Sequence, residues 1–231
     1  MSLYLLVEGD QTEPLIYASW LEHCLPTWQR VDRVEDISDK TFFMISGKGY
    51  PSYLKRIKAA VSDVHAHGVR WLWICIDSED MSYDEKVHEI RSILDECPSF
   101  HGTRVIVQHC CIETWLLGNA KIVKRMPETE PLRSFMAHYN VVREDPEKMP
   151  SMDGFDTRAG FHLAYLRKAF EERGDRYAKN NPGGAKEHYY LRELIRRQTT
   201  TKHIPSFGSL VSALQELGAA ADVLGIAPQR A

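Results

Sequence analysis

The chain has 231 residues, 43% of them hydrophobic, and carries a formal net charge of -3 at neutral pH. That is enough apolar material for a sizeable core in one large domain, or in one domain with a helical appendage. The charge excludes a wholly basic nucleic-acid coat but not a local basic surface, because the distribution matters more than the total.

The N-terminal half alternates between strand and helix patterns. Leu3 to Val7 is a continuous apolar run ending at Glu8-Gly9, the pattern of a parallel strand buried on both faces. Asp10, Thr12, Glu13 and Pro14 offer helix-start chemistry, and Ile16, Trp20 and Cys24 then recur at helical spacing before Pro26. Thr41 to Ile45 reads as a second strand, followed by the glycine-flanked turn Ser46-Gly47-Lys48-Gly49. A helix with Leu54, Ile57, Val61 and Val64 on one face comes next, with Gly68 as its C-terminal cap. Trp71 to Ile76 is the most apolar strand, and Asp77-Ser78-Glu79-Asp80 lies at its end. Val87, Ile90 and Leu94 mark another helix, Thr103 to Val107 a fourth strand, and Ile112 to Leu117 the start of a further helix. This alternation predicts an α/β unit with a mainly parallel, Rossmann-like sheet flanked by helices, over residues 1–125.

Residues 126–231 read differently. From Met126 to Phe155 the chain is rich in Pro, Glu, Asp and Met and reads as an irregular connector. Helices are expected over Arg158 to Arg173, Glu187 to Arg197 and Ser206 to Leu217, with Ser206 as an N-cap and Asn180-Asn181-Pro182-Gly183-Gly184 as a breaker. From Arg158 to Lys202 there are eleven Lys and Arg against five Asp and Glu, about +6, which leaves roughly -9 for the remainder. Tyr165, Tyr177, Tyr189 and Tyr190 are interleaved with these cations, a composition suited to a single nucleic-acid strand by charge and stacking, or to a solvated helix face.

The five cysteines form no CxxC pair, and their odd number in apolar segments reads as reduced intracellular thiols. The ten histidines show neither HxxxH nor HExxH spacing, which argues against a zinc site. No signal peptide or membrane-length segment is visible, so a cytoplasmic location is expected.

The chemistry points to carboxylates at strand ends. Glu8, Asp77 to Asp80, and Glu113 in Cys-Cys-Ile-Glu-Thr-Trp all fall where strands end, and ligands bind at that edge of an open parallel sheet. Gathered there, carboxylates repel one another unless a hard divalent cation with oxygen ligands sits between them. Asp77 ends the most buried strand, where an unpaired charge is costly. Glu79 shares its side if the strand geometry continues. Asp80 or Ser82 also reads as a cap for the next helix, and Glu113 as a first-turn glutamate favouring its helix dipole. Lys48 reads either as a phosphate contact or as a solvated turn lysine, since the Walker A pattern GxxxxGK[ST] is absent.

These residues resemble the Toprim pattern, a Glu ending the first strand and an acidic DxD ending a later one. Glu8-Gly9 matches the first element; Asp77-Ser78-Glu79 matches the second with Glu in place of the second Asp. Val-Glu-Gly-Asp-Gln-Thr-Glu-Pro, Ile-Asp-Ser-Glu-Asp and Cys-Ile-Glu-Thr-Trp-Leu-Leu are similar to the small stand-alone Toprim proteins of the RloB-like and overcoming-lysogenization-defect type, with Pro205-Ser206-Phe207 a further shared element. The resemblance implies a Mg²⁺- or Mn²⁺-dependent nuclease acting on DNA or RNA in bacterial antiviral defence beside a separate ATPase. On that reading Glu8, Asp77 and Glu79 hold the metal, with Asp80 in reserve. Glu113 holds a second metal or orients water, and Lys48 or Lys179 stabilises developing charge. The alternative is a non-catalytic nucleic-acid-binding or regulatory subunit of an ATPase complex.

Overall fold

The computed structural model describes residues 1–226. Five parallel strands form one sheet: β1 (Ser2–Val7), β2 (Gln29–Val31), β3 (Thr41–Ser46), β4 (Trp71–Asp77) and β5 (Thr103–Gln108), in the spatial order β2-β3-β1-β4-β5. This is an α/β, Rossmann-like architecture, and the sheet is wholly parallel. Helix α1 (Thr12–Cys24) follows β1, α2 (Ser52–Ala66) joins β3 to β4, and α3 (Tyr83–Asp95) joins β4 to β5.

Helices cover both faces, which is why the central strands lack polar alternation. Leu3, Leu5, Val7, Trp73 and Cys75 face α1, packing with Ile16, Tyr17 and Trp20. Tyr4, Leu6, Leu72, Ile74 and Ile76 face the other way, against Ile57, Val61 and Val64 of α2 and Ile90 of α3. The chain therefore leaves β1 toward one face and β4 toward the other. The carboxyl ends of these two neighbouring strands are thus a topological switch point, the crevice position at which such sheets bind ligands.

The later helices are α4 (Ile112–Leu116), α5 (Glu130–His138), α6 (Arg158–Glu171), α7 (His188–Thr201) and α8 (Phe207–Glu216). They extend the core on the α1 face: Phe161, Tyr165, Leu194, Phe207 and Leu210 belong to the same apolar cluster as β1 and α1. The loop before α7 is pinned to α1. Thr12 Oγ1 donates to the Lys179 carbonyl at 2.9 Å, Ser19 Oγ to Lys186 O at 3.1 Å, and Trp20 Nε1 to Ala185 O at 3.1 Å.

Four local expectations need correction. The span expected to be an irregular connector contains α5, which buries Leu132 and Phe135; nine residues with Pro131 in the first turn show too little periodicity to stand out. β2 is a three-residue edge strand with no buried residue, so no apolar run announced it. Ser206 does not cap α8. It lies in helical conformation, and its hydroxyl instead donates to Glu147 Oε1 at 2.5 Å and accepts from Trp115 Nε1 at 2.7 Å. The interleaved tyrosines are largely core: Tyr165 and Tyr190 are fully buried, Tyr177 nearly so, and only Tyr189 is exposed. Gly68 behaves as expected, closing α2 at φ +60°. No helix among the described residues is long and apolar enough to cross a membrane.

Candidate functional site

β1 and β4 end side by side, with Val7 opposite Cys75. One residue further on, Glu8 Oε2 accepts the Asp77 backbone N–H at 3.1 Å, joining the two strand ends through a side chain. Asp77 lies on the α1 side of the sheet by strand alternation with Trp73 and Cys75. Its Oδ1 is buried and has no hydrogen-bond partner.

Glu13, which in the sequence reads only as helix-start chemistry, completes the group. It stands in the first turn of α1, 6% exposed, and its Oε1 accepts the Gly9 N–H at 3.1 Å. This folded-back side chain explains Gly9, because a Cβ there would collide with Glu13 Oε2. The signal available in sequence was the run Glu-Gly-x-x-x-Glu across a strand-to-helix turn, which returns the second carboxylate over the first.

Glu113 reaches the same place from α4, 5% exposed, with its Oε1 accepting from Tyr177 Oη at 3.0 Å. The four carboxylates sense one another. Burial first, then the charges of Glu13, Glu8, Glu113 and Glu79, holds the Asp77 carboxyl well above its ordinary range. Burial pushes Glu13 up to about 7, with Glu113 and Glu8 adding to it and the Gly9 N–H opposing. Burial also raises Glu8, countered mainly by the N–H of Asp77. Among the described residues, none of Glu8, Glu13, Asp77, Glu79 or Glu113 forms a salt bridge. Uncompensated carboxylates at this density are costly in the ionised state.

Glu79 does not continue the strand. β4 stops at Asp77, and Glu79 sits at φ +52°, exposed, its N–H donating to Cys110 O at 2.8 Å. The turn, not strand alternation, aims its side chain, so the expected sharing of a side with Asp77 does not follow from β geometry. Although the residue is exposed overall, partial desolvation of its carboxyl by the surrounding turn and the charge of Asp80 raise it, and Lys179 lowers it. Asp80 is exposed; of the two expected caps it is Ser82 that caps α3, in a reciprocal box with Glu85. Lys179 thus joins the site, its carbonyl tied to Thr12 and its ammonium acting on Glu79. Lys48 is exposed at φ +61° in the turn after β3. The lysine acting on both Glu8 and Glu79 is Lys86, which is buried, bonded to Glu89 Oε2 at 2.7 Å and set 5.3 Å from the Tyr50 ring centre. No family model, curated protein or solved structure matches this chain.

The donor set at the crevice is entirely oxygen and includes an unpartnered buried carboxylate atom, which fits a hard divalent cation held by one or two carboxylates and completed by water. The only residues that bring three ligand atoms within 4.8 Å of one another, among those described, are Cys110, Cys111 and His162. Short-range spacings such as CxxC and HxxxH, whose absence argues against a zinc site, do not register such a group. Here the two cysteines are adjacent, and the histidine comes from α6 across the fold.

Much of the basic segment is spent on structure. Arg158 donates to Met149 O and Glu147 O, Arg173 to Lys121 O and Ile122 O, and Arg197 to Gly118 O and Glu144 O. Lys168 and Arg196 pair with Glu171 and Glu193.

Proposed function

We propose that this chain is a Toprim-type, divalent-metal-dependent nuclease that hydrolyses phosphodiester bonds in DNA or RNA. The observation that carries the reading is the buried, unpartnered Oδ1 of Asp77 among four other carboxylates, at the carboxyl ends of the two central strands. Asp77, with Glu8 or Glu13 as a second carboxylate and water completing the shell, would hold Mg²⁺ or Mn²⁺, with Glu79 and Asp80 on the exposed turn that follows. Such an ion, when bound, neutralises phosphate charge and lowers the pKa of a coordinated water.

The rest of the chemistry belongs to the chain. Asp77 and Glu13, held protonated more readily than ordinary carboxyls, are positioned to release protons when positive charge enters the crevice. Glu113, fixed by Tyr177 Oη, is oriented to accept a proton from an attacking water. Lys179, exposed and already acting on Glu79, is the cation available to a phosphate oxygen, whereas Lys86 is buried and paired with Glu89. The turn carrying Lys48 lies close by: Gly49 N donates to Glu8 O at 2.9 Å. A defence role beside a separate ATPase rests on the three motif resemblances. A cytoplasmic location is supported by five free cysteines.

A non-catalytic regulatory or nucleic-acid-binding subunit is the second reading. It is favoured by Glu79, which the turn takes out of strand register. One experiment separates the two. Plasmid, single-stranded DNA and tRNA are incubated with the protein and Mg²⁺, Mn²⁺ or chelator, using wild type, Glu8→Ala and Asp77→Ala. The nuclease reading expects metal-dependent cleavage that both substitutions abolish. Cleavage surviving in both would overturn the site, and salt-sensitive binding without cleavage would favour the second reading.

A further inference from the structure

Beside the carboxylates lies a second cluster that the proposed reaction does not use. Cys110 and Cys111 follow β5 directly, and His162 enters from α6; all three are at most 2% exposed. Their ligand atoms lie within 4.8 Å of one another. Thr114 Oγ1 stands beside them, 2.7 Å from His162 Nδ1 and 3.5 Å from Cys111 Sγ. His162 Nε2 is buried without a partner. An unsatisfied ring nitrogen in a buried place calls for an explanation, and two thiols stand beside it.

We infer that Cys110, Cys111 and His162 form a site for a thiophilic divalent cation, with Zn²⁺ as the representative ion. Tetrahedral zinc with sulfur and nitrogen ligands needs ligand atoms about 3.5–3.8 Å apart, so the cluster closes by about 1 Å on binding. Charge selects the ion. Zn²⁺ entering displaces two thiol protons to solvent, and the two thiolates, the metal and a neutral imidazole then sum to zero, which a buried site tolerates. A monovalent soft ion such as Cu⁺ with two thiolates leaves a net negative cluster in a buried place, which is costly. Hard ions such as Mg²⁺ are excluded by the sulfur ligands. The ligating form of His162 is the neutral imidazole, and its unpartnered Nε2 leaves a ring nitrogen free to bind.

The site has a structural consequence. It fastens the junction between β5 and α4 to α6, and so ties the strand-and-helix half to the C-terminal helices. Glu113 lies two positions after Cys111, so the same clamp steadies a carboxylate of the crevice without contacting it.

The test uses Co²⁺ as a spectroscopic stand-in for Zn²⁺ on the full, reduced chain, after treatment with a chelator. Titration is expected to produce a thiolate-to-cobalt charge-transfer band that saturates at about one equivalent per chain and is bleached by Zn²⁺ but not by excess Mg²⁺. Cys111→Ser and His162→Ala should each weaken Co²⁺ binding tenfold or more. Glu8→Ala and Asp77→Ala should leave the band intact, which separates this site from the carboxylates. A folded wild-type protein that gives no such band overturns the inference, as does a band that persists unchanged in Cys111→Ser and His162→Ala. These outcomes are independent of whether the protein cleaves nucleic acid.

Discussion

Replacing Glu13 by Gln should stabilise the metal-free protein at neutral and alkaline pH. The side chain keeps its shape, and its amide oxygen can still accept the Gly9 N–H now taken by Oε1. Only the ionisable group is lost. Glu13 has a folded-state pKa of about 7 against an ordinary 4.5. Because the folded form holds its proton more tightly, stability is fully present below the ordinary value and is lost as pH rises through about 7. At about 1.4 kcal/mol per tenfold difference in proton affinity, that costs the wild type about 3 kcal/mol when fully ionised. The benefit is shared with Asp77, because Glu13 is the largest of the charges acting on it. For a chain of this size about 3 kcal/mol corresponds to a melting temperature raised by about 6–12 °C. Urea unfolding of wild type and Glu13→Gln, followed from about pH 4 to about pH 8, provides the measurement. The two curves should coincide at the acid end and separate steadily above it. A constant offset at every pH, or no offset at about pH 8, would refute the electrostatic account of this cluster.

Further expectations concern neighbouring groups. Asp77→Asn should also raise stability at alkaline pH, while removing metal-dependent cleavage in the assay above and the thermal shift produced by Mg²⁺ at the same pH; an undiminished Mg²⁺ shift counts against Asp77 as a ligand. Tyr177→Phe removes the 3.0 Å hydrogen bond to Glu113 and should cost about 1–3 kcal/mol in chemical denaturation, because the carboxylate left behind is buried. Ser206→Ala leaves both Trp115 Nε1 and Glu147 short of a partner, and a similar loss is expected from urea melts. Glu79→Gly relaxes a left-handed residue and should leave stability level or raise it by about 1 kcal/mol; a clear loss would mean the carboxylate itself supports the fold.

What was legible in the sequence was whatever repeats over short distances. The continuous apolar runs at Leu3 to Val7 and Trp71 to Ile76 could belong only to strands covered on both faces, and both lie at the centre of the sheet. Glu8 and Asp77 were visible for the same reason: each is the first charge after such a run, so each had to emerge at the same edge. The short elements were not legible. β2 buries nothing and α5 is only nine residues long, so neither imposes a pattern strong enough to read.

The sequence alone thus determined the α/β class, the order of the main elements and the two carboxylates at the crevice. Tertiary structure decided which charges act together. Glu13 becomes part of the site because α1 starts against the end of β1 and its side chain folds back over Gly9. Lys179 arrives through the loop that Thr12 holds, and Lys86 through the start of α3. Tyr165, Tyr177 and Tyr190 pass from apparent stacking platforms to core, because the C-terminal helices bury them against the sheet's α1 face. Cys110, Cys111 and His162 meet only when α6 docks beside the end of β5. Proximity across the fold is a property of packing, and no local spacing encodes it.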